Sequence, residues 1–521
     1  MSDFAAPAKN YPGRIEESAV AMRALMPRAA TQEFPVGTLE AIREFHVSRL
    51  EWAYLLNPEF VKKVHSLGAT SSGTCISNIR QIRFDRIGMV PPSDWETKLS
   101  ILDLNGTMVM PSWCRGSQGR VDPKTAPGWI CVNNPQGREV VIKMVFQQFD
   151  CDLADMHRDD AASNAWTLRW GGCFCDYCID GFRKYLRTNF SSEQLKSMGV
   201  TDPEHFDYRS WLISQNAPVG DDFARYDGGP LKEHFCDFQI QASSDFNAWW
   251  HEKLNEHAGR YIPISCNHVP DLVHRDPPKE KVYEKFDFWC GELPKEKCNP
   301  KYFFEVSRYV RSLGKDLTFT PPEEKSASLT PAWKQLIRQG IATTYATGLH
   351  MEAPWDVFLP WGMPRFFGNA HDFSDLFGMA RACTNQLDGY EDVCALGATL
   401  KDDRWNPMEE PATISSSSIY AFFRAKPGDK NAPVILHLVD WSDHPQSFQI
   451  TLKSAMIFNG ARFRATLITP LPYNQQAHHH AFDTKNWDSL IQRKVISDFV
   501  GDDVLKIPAL EPWGILVLDR K

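Results

Sequence analysis

The chain has 521 residues, of which 43% are hydrophobic and 23% charged, with a formal net charge of -8. These proportions are those of a globular protein and exclude disordered and fibrous classes, and an acidic chain with no evident basic face is a poor partner for nucleic acid. No run of about 18 uninterrupted apolar residues offers a membrane span, and MSDFAAPAKNYPGRIEESAV lacks the basic and apolar regions of a secretory signal, so a cytoplasmic location without membrane contact is expected.

The length exceeds one ordinary core and suits a large barrel with a small appended domain. After an irregular N-terminal arm (1–40), strand-like runs alternate with longer amphipathic stretches, the signature of a parallel βα architecture. FHVSRLEWAYLL (Phe45 to Leu56) reads as the first strand, NPEFVKKVHSLG as a helix opened by Asn57 and Pro58 and closed by Gly68, and ATSSGTCISNI as the next strand. ILDLNGTMVMPSW carries an Asn-Gly pair between apolar flanks, a strong hairpin signal. NPQGREVVIKMVFQQF is a predicted helix, followed by the strand CDLADMHRDD (Cys151 to Asp160). Further helices are CIDGFRKYLRTNF and FCDFQIQASSDFNAWWHEKLNEHAG, the latter ended by Gly259. Strands YIPISCNH, KFDFWCGEL, KDLTFTPPEE and LHMEAPWDVF, with the helices between them, bring the count to about eight βα units. The predicted fold class is therefore α/β, a (β/α)8 TIM barrel over 41–405.

From Pro407 to Pro411 the texture changes, and the short strands that follow, separated by polar turns, predict a small C-terminal antiparallel β-sandwich domain over 411–521. The tetra-serine 415–418 and the His478–His480 run read as loop or strand-edge decoration rather than as a metal site.

Aromatic residues make up 12% of the chain, with 17 tryptophans. Indole faces stack on sugar rings, so the enrichment suggests carbohydrate, while a core built from large side chains explains it equally. Thirteen cysteines dispersed through a large chain read as reduced thiols. Cys173, Cys175 and Cys178 are the exception: C-x-C-x2-C directly before a helix suits convergence on one structural Zn²⁺. Cys131 is the first choice for the fourth ligand and Cys114 the alternative, against a plain reading of buried thiols. No organic cofactor is expected.

CVNNPQGREVV, a strand ending in acidic residues, and then GGCFCDYCIDGFRKYL resemble the β-galactosidases of glycoside hydrolase family 42, over residues 40 to 360. The resemblance implies a (β/α)8 barrel, a structural zinc held by Cys131, Cys173, Cys175 and Cys178, and glycosidase activity. The chain departs from that family where Asp159-Asp160 replaces its Asn-Glu pair and where its middle domain would lie, and so is read as a distant relative or a separate family of the same architecture. Assembly into a homo-oligomer is left open.

Chemistry in such a barrel sits at the carboxyl ends of the strands, and glycoside hydrolysis generally uses two carboxyl groups, one protonated and one ionised. Alternation along LADMHRDD turns Asp155, His157 and Asp159 into the barrel, while matching to the family favours Asp160, and both aspartates stay candidates for the general acid/base. Glu292, Glu352 and Glu324 (or Glu323), in that order, are candidates for the nucleophile or base. His157, Arg158, Asn267 and His268 are expected to touch substrate, and Trp289 and Trp355 to form stacking walls; Trp52, Trp113 and Trp166 are further candidates, with ordinary packing the better reading for most of them. The expected activity is exo-acting hydrolysis of an oligosaccharide or glycoside. Arg158-x-Asp160-Ala-Ala is similar to the Arg-x-Asp-Ala-Ala of α-amylase-type barrels, which implies instead an α-glycosidase with a strand-four aspartate as nucleophile. A third reading is a carbohydrate-binding barrel that has lost catalysis.

Overall fold

The computed structural model describes residues 1–23, 38–54, 56–76, 82, 84–91, 93–110, 128–273, 277–322, 330–355, 369–404, 410–458, 462–499 and 504–521. Trp113, Cys114, Glu323 and Glu324 lie outside the described residues. The chain forms a (β/α)8 barrel followed by an antiparallel β-sandwich. Eight parallel strands follow one another in sequence order across one sheet: β1 (Ala21–Arg23), β2 (Arg49–Ala53), β3 (Thr70–Ile76), β4 (Asp155–Asp159), β5 (Ile264–Cys266), β6 (Phe288–Glu292), β7 (Asp316–Thr320) and β8 (His350–Met351). Just past β8 the Glu352 N–H donates to the Phe319 carbonyl of β7, and the Ala353 N–H donates to the Ala21 carbonyl of β1, both at 2.8 Å. Among the described residues no helix is long and apolar enough to cross a membrane.

Several barrel helices start by one local device. Asn57, Asn134, Asn299 and Thr330 each precede a proline, and each side-chain oxygen accepts from an N–H two or three residues on. The cap satisfies a donor that would otherwise have no helical partner, and proline at the first position has no N–H to leave unsatisfied. The Asn105-Gly106 turn forms as its sequence predicts: Asp103 and Thr107 pair across it, with Gly106 at φ 77°.

The described chain divides into two compact units, Met1–Gly73, His268–Leu272 and Asp287–Lys521 in one, Thr74–Asn267 and Val273–Phe286 in the other. The first contains the sandwich. Its larger sheet has the order β15-β14-β17-β12-β11-β9 and its smaller one β10-β13-β16. These strands are β9 (Glu391–Leu396), β10 (Ala412–Ile414), β11 (Ile419–Ala425), β12 (Val434–Asp440), β13 (Phe448–Leu452), β14 (Phe463–Pro470), β15 (Ile491–Phe499), β16 (Val504–Ile507) and β17 (Trp513–Arg520). Val393, Phe423, Leu436 and Leu516 of the larger sheet share a core with Ile450, Leu505 and Ile507 of the smaller, as alternation on two facing sheets requires. The sandwich also meets barrel helix Pro331–Thr347, where Gln339 donates to the Asp440 carbonyl and the Trp441 indole to Thr343.

The structure differs from the sequence reading in three places. The first barrel strand is Ala21–Arg23, inside the stretch read as an irregular arm, and pairs in parallel with Arg49–Glu51. The run read as the first strand is therefore the second, and it shortens to Arg49–Ala53. Glu391–Leu396 pairs with β11 and belongs to the C-terminal sheet. His478–His480 lies in a helix, Gln475–Thr484, whose buried His478 sits 2.7 Å from His46.

Candidate functional site

The carboxyl-end side chains of β1, β2, β6 and β8 meet in the first unit. Cys290 and Glu292 are two residues apart on β6 and share a face, and Glu352 follows β8 directly. On β2 the pairing with β3 shifts register between Leu50 and Ala53, and Trp52 takes φ 51°. Such a bulge re-aims side chains at a strand end. Here it places the Trp52 ring under the Arg23 guanidinium, 3.7 Å from centroid to Cζ, and its indole N–H donates to Tyr54 at 2.7 Å. A guanidinium over an indole face is a favourable cation–π pair.

Arg23 is the hub. Its Nη1 lies 3.9 Å from Glu292 and its Nε 3.7 Å from Glu352. The two carboxyl groups live in different surroundings, since the Glu292 side chain is 42% exposed and that of Glu352 only 2%. Glu51, held by Arg49 at 2.8 Å, completes a buried group with Cys290 and Glu352 whose ligand-type atoms lie within 4.8 Å of one another. Burial pushes the Glu352 carboxyl up to about 7; Arg23 opposes the rise, Glu51 and Glu292 add to it, and the Cys290 hydrogen bond works against it. At neutral pH the site therefore holds one carboxyl poised to carry a proton.

Beside this group, Gly291 has no room for a side chain: a Cβ there would fall 2.4 Å from the His268 carbonyl oxygen. Half-buried His268 packs edge-on against Trp289 at 4.7 Å, and burial with nearby Lys297 pushes its pKa down to about 3. Trp289 is a correction to its expected role as a stacking wall. It is 2% exposed, lies on the strand face opposite Cys290 and Glu292, and packs towards Tyr309 of helix Pro300–Ser312. Trp355 is half-buried just past the end of β8.

In the second unit β4 ends in a turn, with Asp160 at φ 56°, a left-handed conformation that aspartate tolerates better than most residues. Asp159 Oδ1 accepts from the Asp160 N–H at 3.0 Å and from Asn267 at 3.2 Å. Asp160 Oδ2 accepts from the Trp129 indole at 2.9 Å. His157 bonds to Ser265 of β5 at 2.9 Å. Arg158 is fully buried over the Phe246 ring of helix Gly229–Ala258 and donates to Ser163, so its guanidinium is taken up by the helix layer. Trp166, half-buried, stacks on Trp129 at 6.0 Å.

Cys131, Cys173, Cys175 and Cys178 converge, all buried and none in a disulfide. Cys131 Sγ lies 3.5 Å from Cys178 and 3.6 Å from Cys175. Four thiolates on a tetrahedral zinc, each at about 2.3 Å, stand about 3.8 Å apart, so the cage fits that ion. The donors around it fit too. Asn133 points its amide at Cys178 Sγ (3.3 Å), and Asn164 points its amide at Cys131 and Cys178 (3.4 Å each), which suits negatively charged sulfur. Gln239 holds the Asn164 amide in place at 3.0 Å.

Sequence reading brought forward Glu292, Glu352, both aspartates and the four cysteines. It missed Arg23, Glu51 and Cys290. The available signal was position: Glu51 lies in a strand and Cys290 two residues before a nominated glutamate on the same face.

No family model matches the chain. It is 24% identical over 296 residues to an alpha-agarase from Alteromonas agarilytica, a stretch that covers 52% of this chain and 20% of that protein. The chain thus spans about one fifth of the length of that relative. Among solved structures it is similar to a GH27 β-L-arabinopyranosidase from Geobacillus stearothermophilus in complex with arabinose, at 7% identity over 96% of this chain and 97% of that one, with a TM-score of 0.45. It is similar also to Amy13B of Eubacterium rectale, at 8% identity over 98% and 97% of the two chains with a TM-score of 0.47. A MutB variant in complex with sucrose aligns at 11% identity over 97% and 99%, with a TM-score of 0.49. Membership of glycoside hydrolase family 42 gains no support from these comparisons.

Proposed function

We propose that this chain is a glycoside hydrolase in which Glu352 delivers the proton to the leaving oxygen and Glu292 works ionised, as nucleophile or as the base that activates water. The observation that carries the reading is the pair of carboxyl groups on one guanidinium, one buried and raised to about 7, the other open to solvent. Environments that push two titratable groups apart divide the acid role from the base role. The likeness to a protein named alpha-agarase adds carbohydrate as substrate class and makes agar a first polymer to try.

The test is a panel of paired α- and β-aryl glycosides and agar-type oligosaccharides with Glu292→Gln and Glu352→Gln. Each variant is expected to lose about 10²-fold or more of kcat while staying folded. Full activity in either would remove that residue from the mechanism.

A second reading gives Asp159 the ionised role of nucleophile, favoured by the Asp160 N–H and the Asn267 amide that both donate to its Oδ1. Asp159→Asn with wild-type activity would exclude it. We further propose that the four-cysteine cage holds a structural zinc, since all four positions around the metal would be filled by thiolate and none left for catalysis.

A further inference from the structure

We propose that Cys290 is a positioning residue for Glu352, its thiol fixing which of the two carboxyl oxygens carries the transferable proton. The inference rests on the reading of Glu352 as the acid. Cys290 Sγ lies 3.4 Å from Glu352 Oε1, and the other oxygen, Oε2, is the one that faces Arg23 Nε at 3.7 Å. Burial pushes the Cys290 thiol well above its ordinary value, with Glu352 and Glu51 adding to the rise, so the sulfur keeps its hydrogen and offers it to Oε1. A carboxylic acid that accepts at Oε1 must present its O–H from Oε2. The thiol thus does for this carboxyl what an orienting partner does for a catalytic imidazole: it selects one geometry of the proton.

Among the described residues the surroundings leave that role to the thiol. Arg23 reaches Glu352 from β1, Glu51 from β2 with Arg49 behind it, and Glu292 from β6 beside Cys290 itself. From β7 the contact is the Phe319 carbonyl, which takes the Glu352 backbone N–H and leaves the carboxyl alone. Arg23 is beyond hydrogen-bond distance of Glu352, and Glu51, when ionised, can only accept. A thiol is a weak donor, so its bond to the ionised carboxyl is modest and its directional effect dominates.

Cys290→Ala removes the donor, Cys290→Val removes it while filling the volume, and Cys290→Ser restores a donor. Losing the bond disfavours the ionised carboxyl, so Ala and Val are expected to move the Glu352 titration upward by roughly half to one pH unit, and Ser to keep it near wild type. Two readouts follow it: the pH at which kcat falls, and the carboxyl C=O band in infrared difference spectra against Glu352→Gln. The Ala and Val variants are also expected to lower kcat several-fold with KM unchanged. If they leave the carboxyl band and the pH profile where they are, or if Ser behaves like Ala, Cys290 is a packing residue and the proposal fails. The infrared titration needs no substrate, so it decides the role of Cys290 even if Glu352→Gln proves fully active and the hydrolase reading itself falls.

Discussion

At Glu352 opposing effects meet. Burial and two neighbouring carboxyl groups favour the neutral acid, while Arg23 and the Cys290 thiol favour the anion, and the balance falls at about 7. A group that must donate a proton is competent below its pKa, so the rate is expected to fall as pH rises through about 7, with the lower limb set by the ionised partner. A kcat/KM profile that stays level from about pH 5 to pH 9 would take Glu352 out of the acid role. Glu292 and Glu352 were legible in the sequence because both stand at strand ends, and for Glu352 the apolar neighbours Leu349 and Met351 fix the facing. Arg23 was not: a three-residue strand has no period to read. Nor was the direction of Glu51, which depends on a bulge that only the pairing with β3 creates.

At the scale of elements, what repeats locally was legible and what depends on pairing was not. Asn-Pro and Thr-Pro openings act within one turn and announce their helices, and the Asn-Gly hairpin does the same. Glu391–Leu396 gives no such sign, since a six-residue strand could extend either domain, and its antiparallel pairing with β11 decides the matter. The cysteine cage lies between these cases. C-x-C-x2-C is local, but its closure by Cys131 spans more than forty residues and needs the turn before helix Pro135–Phe149. One zinc per chain is expected by elemental analysis, absent from Cys178→Ala. Structural zinc sites of this kind contribute on the order of 10 kcal/mol to the fold around them. Stripping the metal is therefore expected to loosen the Trp129, Trp166 and Trp170 cluster, which packs on the cage, and to change tryptophan fluorescence along with Tm. Purified protein that holds no metal and has the same Tm with and without chelator would reduce the cage to four buried thiols.

For the whole molecule the informative piece is the N-terminal arm, which composition marks as irregular and the structure makes part of the barrel. Lys9 reaches Asp316 at 2.8 Å and Glu17 at 3.2 Å. Tyr11 and the Ile15 N–H donate to the same aspartate, which begins β7. All three charged side chains are almost fully buried. Removing one partner from such a group leaves another charge uncompensated, so Asp316→Ala is expected to cost about 3 to 5 kcal/mol, read from denaturant midpoints. The pH dependence has a definite sign. Burial alone would raise Glu17, but Lys9 and Arg424, its own backbone N–H and Arg14 hold it down to about 2, against 4.5 for the free side chain. A carboxyl depressed on folding releases its proton more readily in the native state, so its contribution is complete above about pH 4.5 and vanishes as pH falls towards 2. Integrated over that span it is on the order of 3 kcal/mol. Wild type is therefore expected to lose stability steeply between those values, and Glu17→Gln, already lacking the ionised group, to lose less over the same interval while starting lower. Parallel curves for the two proteins across acid pH would mean that Glu17 takes up its proton equally in both states.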